Sequence, residues 1–157
     1  MPERAFDRDQ VAHFTPEYHP RTPGDIRRRT IAVLGERGVE LDVGAELAIE
    51  LTVTELVTNA MLYGGIAGRL DVFLYLEPGD FLTVEVWDGA GTVVPVVTQA
   101  ADDDDGGRGL ALVAGLVERL WWEPVGGFAK RVCARIALRT PAEPMPDPSR
   151  GRQPAAA

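Results

Sequence analysis

Apolar residues recur at helical spacing in two stretches of the N-terminal half of the chain. Residues 22–38 combine a proline in the first turn, an apolar stripe and a terminal glycine, which predicts a helix capped by Thr22 or Asp25. A longer stretch predicts a second helix over about residues 43–63, ended by Gly64 and the glycine after it. This second stretch is apolar around most of its circumference.

Alternation with period two marks the middle and the end of the chain. GRLDVFLYLE and FLTVEVWDG, joined by Pro-Gly-Asp, predict an antiparallel hairpin, and LWWEPVGGFAKRVCARIAL predicts a second that turns at Gly126-Gly127. Between the hairpins, GRGLALVAGLVERL predicts a third helix. The apolar positions of this helix are Leu110, Val113, Ala114 and Val117. RAFDRDQVAHF near the N-terminus predicts one further strand.

The predicted order is helix, helix, hairpin, long loop, helix, hairpin. Strands paired largely antiparallel, with the helices on one face, form an α+β fold, a two-layer α/β sandwich with a mixed, mostly antiparallel sheet. A doubly wound fold is excluded, because no strand is followed by GxGxxG and a helix. We predict residues 1–21 as an N-terminal segment with the first strand, 22–140 as the domain, and the Pro- and Ala-rich 141–157 as a disordered tail.

Composition narrows the classes of function. The 157 residues suit one core, and neither a membrane span nor a signal peptide is evident, which predicts a cytoplasmic protein without a membrane partner. A net charge of −8 argues against nucleic acid as a partner. One cysteine excludes a disulfide within the chain, and two histidines argue against a zinc site or a Ser-His-Asp triad.

Two polar residues interrupt the second predicted helix. Glu55 and Asn59 lie four positions apart and therefore share one face of it. If that face is an exposed edge, the pair has no chemical role. If it lines a cleft, Asn59 offers a carbonyl oxygen to Mg²⁺, which takes few protein ligands and fills its remaining positions with water and phosphate oxygens, and Glu55 offers a base. The helix alone leaves both interpretations open.

Glycines and charged residues stand on both sides of the long loop. Asp88 ends a predicted strand, where its carboxylate can accept a hydrogen bond from an exocyclic amine such as N6 of adenine, and Gly91 permits close approach of a base. Asp-Gly is also an ordinary turn dipeptide. Gly107, Arg108 and Gly109 stand where the third helix begins, so backbone N–H groups and a guanidinium can meet phosphates there. A flexible linker has the same composition.

Residues 92–105 are too long for a turn and include the run from Asp102 to Asp105. They predict either a disordered linker or a lid that closes over a bound nucleotide. Because four carboxylates repel a phosphate, the Asp run is better explained by solvated side chains, or by charges that complement the helix dipole.

The order of these motifs resembles one known family. ELVTNAMLYG resembles the N box, DGAG the G1 box and GGRGL the G2 box of the GHKL (Bergerat-fold) ATPases and kinases. Spacing and size are most similar to the anti-sigma factor serine kinases and related small histidine-kinase-like ATP-binding proteins of bacteria. The resemblance covers about residues 22–139 and implies the GHKL two-layer fold.

The resemblance also implies ATP and Mg²⁺ as cofactors and a role for each motif residue. Asn59 would hold the Mg²⁺ that bridges the ATP phosphates, and Glu55 would be catalytic, orienting or deprotonating a serine or threonine hydroxyl of a partner protein. Asp88 would bind the adenine amine. The positions implied to bind the nucleotide are Asn59, Asp88, Gly91, Gly107, Arg108 and Gly109.

Three positions bear on how closely the chain follows the family. Tyr63 stands where close relatives have His, and Arg131 stands where they have Thr after Gly-Lys. Lys130 aligns with the family lysine, although we expect a lysine on the strand surface. Because positioning and electrostatics supply nearly all catalysis of phosphoryl transfer, we expect these departures to affect rate more than fold or ATP binding.

The implied function is an ATP-dependent protein serine/threonine kinase that phosphorylates an anti-sigma factor antagonist-like protein, binds a sigma factor, or does both. Relatives of this type often form homodimers. The alternative is a catalytically weak, nucleotide-dependent binding module, either an anti-sigma factor or an adaptor, and a third function is ATP hydrolysis with water as the nucleophile. A histidine kinase is disfavoured, because no helical dimerisation segment with a phospho-accepting His precedes the domain.

Overall fold

The computed structural model describes residues 8–64, 69–89, 105–126 and 129–139. The elements in chain order are β1 (Asp9–Phe14), α1 (Thr22–Glu36), α2 (Val43–Tyr63), β2 (Leu70–Glu77), β3 (Phe81–Asp88), α3 (Asp105–Leu116), β4 (Arg119–Val125) and β5 (Ala129–Ala137). The strands form one sheet in the order β1-β2-β3-β5-β4, with each neighbouring pair antiparallel. Helix α2 packs on β3 and β5, and α1 and α3 pack against α2. The predicted two-layer α+β fold is confirmed.

The strand pairs of both predicted hairpins, β2 with β3 and β4 with β5, are confirmed, and their alternation sets the core. Gly127 of the second predicted turn lies outside the described residues. In β2, Leu70, Val72 and Leu74 are at most 2% exposed and face the helices. The register pairs Val72 with Val86 of β3, so the apolar residues of the two strands lie side by side. At the turn between them Gly79 adopts a φ of +89°, a conformation that glycine takes without steric cost.

The ends of α1 and α2 follow different rules. Asp42 caps α2, because its side chain accepts a hydrogen bond of 2.7 Å from the Ala45 N–H. The predicted cap of α1 is wrong, because the N-cap residue is Arg21, which makes no side-chain capping bond. The two predicted caps bind elsewhere: the Thr22 hydroxyl donates to the Glu17 carbonyl at 2.6 Å, and Asp25 pairs with Arg28. The proline in the first turn of α1 has no backbone N–H, so one of the donors that a capping side chain would satisfy is absent. Helix α1 can therefore begin without a side-chain cap.

The predicted glycine stop of α1 is confirmed. Gly38 has a φ of +72°, and the N–H of Val39 bonds to the carbonyl of Leu34 at 3.0 Å. The apolar stripe predicted for α3 is only partly right. Leu110 and Val113 are buried where α3 packs against α2 and β4, but Ala114 is exposed.

The predicted N-terminal strand exists and belongs to the same sheet. Strand β1 is an edge strand that pairs with β2, with a register shift between Gln10 and Ala12. The predicted lid up to residue 104 and the predicted tail lie outside the described residues, and the domain limits at 21 and 140 stay predictions. Within the described part of the chain, no helix is long and apolar enough to cross a membrane.

The face of the sheet turned away from the helices carries a buried carboxylate. Glu85 is 1% exposed and accepts hydrogen bonds from Arg8 at 2.8 Å and from the Trp87 indole N–H at 3.2 Å. The neighbouring Cys133 is fully buried. Burial and the Glu85 charge raise the pKa of the Cys133 thiol to about 12. Charged and aromatic side chains therefore cover one another on this face.

Candidate functional site

Helix α2 separates its polar pair from the core. Leu56 and Val57 are 2% and 0% exposed and belong to the hydrophobic core, whereas Glu55 and Asn59 are half-buried. Neither member of the pair is sealed into the core, and neither stands fully in solvent. The helix therefore presents a carboxylate and a carboxamide, one turn apart, at the border of the core.

At the end of β3, Asp88 forms a buried ion pair. The Lys130 amine lies 3.2 Å from Asp88 Oδ2, and the two side chains are only 4% and 2% exposed. The register places Lys130 of β5 directly opposite Asp88. Removing two charges from water costs desolvation free energy, which the attraction between them offsets only when their geometry is close. A buried ion pair at this position therefore indicates a structural or chemical role.

The expected strand-surface position of Lys130 is wrong. Alternation along β5 places Lys130 on the same side as Ala134 and Ile136, which are buried under the helices. The alternation in the sequence already indicated this position, because residues two or four apart in a strand face the same side of the sheet. A buried lysine beside a predicted adenine-binding aspartate is thus part of the candidate site.

The end of α2 packs directly against Asp88. A Cβ atom added to Gly64 would lie 2.9 Å from Asp88 Cβ and 2.0 Å from the Ala60 carbonyl oxygen. Only a residue without a side chain fits between these groups. The C-terminus of α2 and the C-terminus of β3 therefore meet at Gly64.

Tyr18, in the connection between β1 and α1, reaches the same place. Its hydroxyl donates to the Ala60 carbonyl at 3.4 Å. Burial, followed by the negative charge of Asp88, raises the pKa of Tyr18. Sequence reasoning missed this residue, because no motif marks it and its neighbours come from distant segments.

At the other end of the pair, Glu55 touches the start of α3. A Cβ atom added to Gly109 would lie 1.8 Å from Glu55 Oε2 and 2.3 Å from Glu55 Cδ. Within the described residues, no hydrogen bond or ion pair orients Glu55. Its carboxylate is therefore placed by contact with the Gly109 backbone.

The contacts bring four predicted site residues to α2. Glu55 and Asn59 lie on the helix, Gly109 touches Glu55, and Asp88 touches the helix end at Gly64. Asn59 lies between these two contacts along the helix axis, little more than one turn from each. Gly107 and Arg108 lie in the first turns of α3, and Gly91 lies outside the described residues.

The two family departures differ in their surroundings. Tyr63 is the last residue of α2 and is 49% exposed. Arg131 points to the outer face of the sheet, where it pairs with Glu123 and approaches Glu85 at 3.8 Å. The guanidinium in place of the family threonine is therefore turned away from the sheet face that carries Asp88.

One cavity lies beside the site without containing it. It measures about 390 Å³, and Tyr18, Thr58 and Leu62 are among its lining residues. None of the predicted site residues lines it. This cavity is therefore not the space expected for a nucleotide.

The donor set on α2 fits Mg²⁺ only when the cation arrives with a phosphate ligand. No cluster of three or more His, Cys, Asp or Glu side chains that could hold a metal exists among the described residues. One amide oxygen at Asn59, with the carboxylate of Glu55 a turn away, fits a cation that keeps waters and takes its remaining ligands from a nucleotide. Asp88 is a suitable acceptor for an amine of a base.

Comparison with known proteins identifies the fold and the family of the chain. No curated protein matches the chain. The crystal structure of the RsbU and RsbW domains of Rv1364c from Mycobacterium tuberculosis matches 83% of this chain and 33% of that chain, with a TM-score of 0.62 and 19% identity. This chain thus spans about a third of that protein, and the likeness establishes the fold. The sequence profile of the histidine kinase-like ATPase domain matches residues 19–134, well over half of the chain. The chain therefore belongs to the histidine kinase-like ATPase family, a family of ATP-binding domains.

Proposed function

We propose that this ATP-binding regulatory protein is a serine/threonine kinase of the anti-sigma factor type, which transfers the γ-phosphoryl group of Mg-ATP to a partner protein. The proposal rests on one observation: two carboxylates with different surroundings, Glu55 of α2 and Asp88 of β3, both lie along α2. Asp88 is buried at one end of the helix, and Glu55 is half-buried against α3. The first suits recognition of a base, and the second suits a proton acceptor that must meet a substrate.

Each residue has a role in this proposal. Asp88 accepts a hydrogen bond from the adenine amine, with Gly91 beside the base. Asn59 holds the Mg²⁺, which supplies neutralisation of the phosphate charge when it is bound. Gly107, Arg108 and Gly109 form the phosphate-binding start of α3. Glu55 orients the attacking hydroxyl and takes its proton as the new P–O bond forms and the bond to the β-phosphate oxygen breaks.

The partner class comes from the family resemblance and from the RsbW domain in the matched structure. We propose an anti-sigma factor antagonist-like protein as phosphoryl acceptor, a sigma factor as a second partner, and a cytoplasmic homodimer as the working form. The net charge of −8 supports a protein partner over a nucleic acid.

A catalytically weak binding module is the second candidate. It is favoured by the 49% exposed Tyr63 at the family histidine position and by the lack of an orienting hydrogen bond on Glu55 among the described residues. Such a protein would bind Mg-ATP and a partner and would turn over slowly.

A transfer assay separates these functions. The purified protein is incubated with γ-labelled ATP, Mg²⁺ and candidate antagonist proteins, and Glu55→Ala is compared with Glu50→Ala, which removes a half-buried carboxylate from the same helix. We expect serine or threonine labelling that falls about 10²- to 10⁴-fold in Glu55→Ala and survives in Glu50→Ala. Tight ATP binding without transfer to any candidate would favour the binding module.

A titration tests the metal assignment separately. We expect Asn59→Ala to weaken ATP binding in the presence of Mg²⁺ and to leave the weaker Mg²⁺-free binding unchanged. Equal affinity of wild type and variant under both conditions would remove Asn59 from the proposed site.

A further inference from the structure

We infer that Gly109 is a positioning residue that sets the direction of the Glu55 carboxylate, and that it is glycine for this reason. The inference rests on the proposed function, because it gives Glu55 the role of proton acceptor. It assigns Gly109 to the reacting hydroxyl rather than only to the phosphates.

The contact leaves no room for a side chain. A Cβ atom on Gly109 would stand 1.8 Å from Glu55 Oε2, 2.3 Å from Cδ and 3.1 Å from Cγ. Real Cβ atoms essentially never approach another heavy atom closer than 3.0 Å. Three successive atoms of Glu55 thus lie against the Gly109 backbone, and the carboxylate occupies the volume that an alanine methyl group would need.

Another glycine of α3, Gly115, provides an internal comparison. A Cβ atom on Gly115 would meet nothing within 4 Å. Glycine is unfavourable inside a helix because of its backbone freedom, so both positions weaken α3 in the same way. Of these two glycines, Gly109 gains a steric fit in return and Gly115 does not.

The consequence of a methyl group at Gly109 follows from the shape of Glu55. The clashing atoms are the far end of a flexible, half-buried side chain, so the carboxylate can swing aside while the backbone stays in place. The fold survives, but the proton acceptor leaves its position. Small displacements of a positioned catalytic group cost large factors in rate.

The same contact links two functions of α3. Gly107 and Arg108, in the first turns of this helix, are the proposed phosphate contacts, and Gly109 follows them directly. The helix that meets the phosphates therefore also forms the wall against which the proton acceptor rests. A nucleotide that repositions α3 would therefore change the surface against which the Glu55 carboxylate rests.

The first test compares Gly109→Ala with Gly115→Ala in the transfer assay. We expect Gly109→Ala to lower kcat at least tenfold, and to lower Mg-ATP affinity, measured by calorimetry, by a clearly smaller factor. Gly115→Ala keeps both values. Wild-type kcat in Gly109→Ala would overturn the inference, as would a loss confined to ATP affinity, which would return Gly109 to a phosphate-binding role alone.

The second test uses a shorter acid. Aspartate at position 55 withdraws the carboxylate by one methylene from Gly109, so Gly109→Ala should cost less transfer activity in the Glu55→Asp background than in wild type. An equal cost in both backgrounds would show that the methyl group acts elsewhere, and the inference would fail.

The third test does not depend on activity. Alanine stabilises a helix relative to glycine, so Gly109→Ala should raise the midpoint of urea unfolding more in the Glu55→Ala background, where the clash is gone, than in wild type. Additive shifts would overturn the contact. A wild-type protein that labels no partner would end both the proposed function and the catalytic part of this inference, whereas failure of these variants alone would leave the kinase in place.

Discussion

Asp88 and Glu55 each pack against a glycine, Gly64 and Gly109 respectively, but their electrostatic surroundings differ. Asp88 is enclosed, and its charge faces the Lys130 amine at 3.2 Å. Glu55 is half-buried and is oriented by van der Waals contact. The difference suits the proposed roles, since a base-recognition group gains from a fixed position, whereas a proton acceptor must stay accessible to a second protein.

The comparison of Asp88 with Glu55 predicts that substitution of Lys130 changes the free energy of unfolding most. Lys130→Met keeps the length of the side chain and removes its charge, so the Asp88 carboxylate stays buried without that cation. We expect a loss of about 3–5 kcal/mol in the free energy of unfolding, measured by urea denaturation. The double variant Asp88→Asn/Lys130→Met should recover most of it, because neither charge is then buried.

An exposed ion pair provides the control for Lys130. Arg37 and Asp9 lie 3.2 Å apart, and their side chains are 47% and 66% exposed. Arg37→Met should cost about 1 kcal/mol or less, because water and salt screen such pairs. Equal losses in Lys130→Met and Arg37→Met would contradict a buried, structurally important pair at Asp88.

Gly64 predicts an intermediate effect at the same end of the site. An alanine methyl group would meet the Ala60 carbonyl oxygen and Asp88 Cβ, neither of which can rotate away as the tip of Glu55 can. We expect Gly64→Ala to cost about 1–3 kcal/mol of stability and to weaken ATP binding.

Gly35 in α1 is the matched control for Gly64, because a Cβ atom there meets nothing within 4 Å. Gly35→Ala should stabilise the protein by up to about 1 kcal/mol. If Gly64→Ala stabilised it by a similar amount, the close packing of the end of α2 on Asp88 would be refuted. A calorimetric titration with ATP would show whether Gly64→Ala also weakens nucleotide binding.

The smallest predicted effect is at Tyr18. Its hydroxyl makes a long hydrogen bond of 3.4 Å to the Ala60 carbonyl, so Tyr18→Phe should cost about 1 kcal/mol or less and change ATP affinity little. Thermal unfolding of Tyr18→Phe measures this loss of stability. Tyr75→Phe, on the sheet face turned away from the helices, is the control. A loss as large as that in Lys130→Met would contradict this ranking, because Tyr18 would then stabilise the Asp88 end as strongly as Lys130 does.

The sequence predicts this fold well because its elements have clear local signals. Alternation set both hairpins, and the four-residue spacing of Glu55 and Asn59 was enough to place them on one face of α2. The same alternation, followed through β5, would have placed Lys130 under the helices. Helix caps were less predictable, because Thr22 has a competing acceptor at the Glu17 carbonyl.

Contacts between distant segments had no local signal. Gly109 meets Glu55 across two helices, and Tyr18 meets Ala60 from the connection before α1. A glycine in a motif predicts that space is needed without saying which atom fills it. The motif suggested a phosphate, and the structure places a carboxylate of the same chain against Gly109.

The burial of Cys133 has a practical consequence. It is the only cysteine in the chain, and at neutral pH a thiol with a pKa of about 12 holds almost no nucleophilic thiolate. The native protein should therefore stay unmodified by maleimide reagents. Tyr63→Cys, at an exposed position, would then carry a fluorophore at a single known place, and a change in the emission of that dye on addition of ATP would test in real time the proposal that the nucleotide binds near the end of α2.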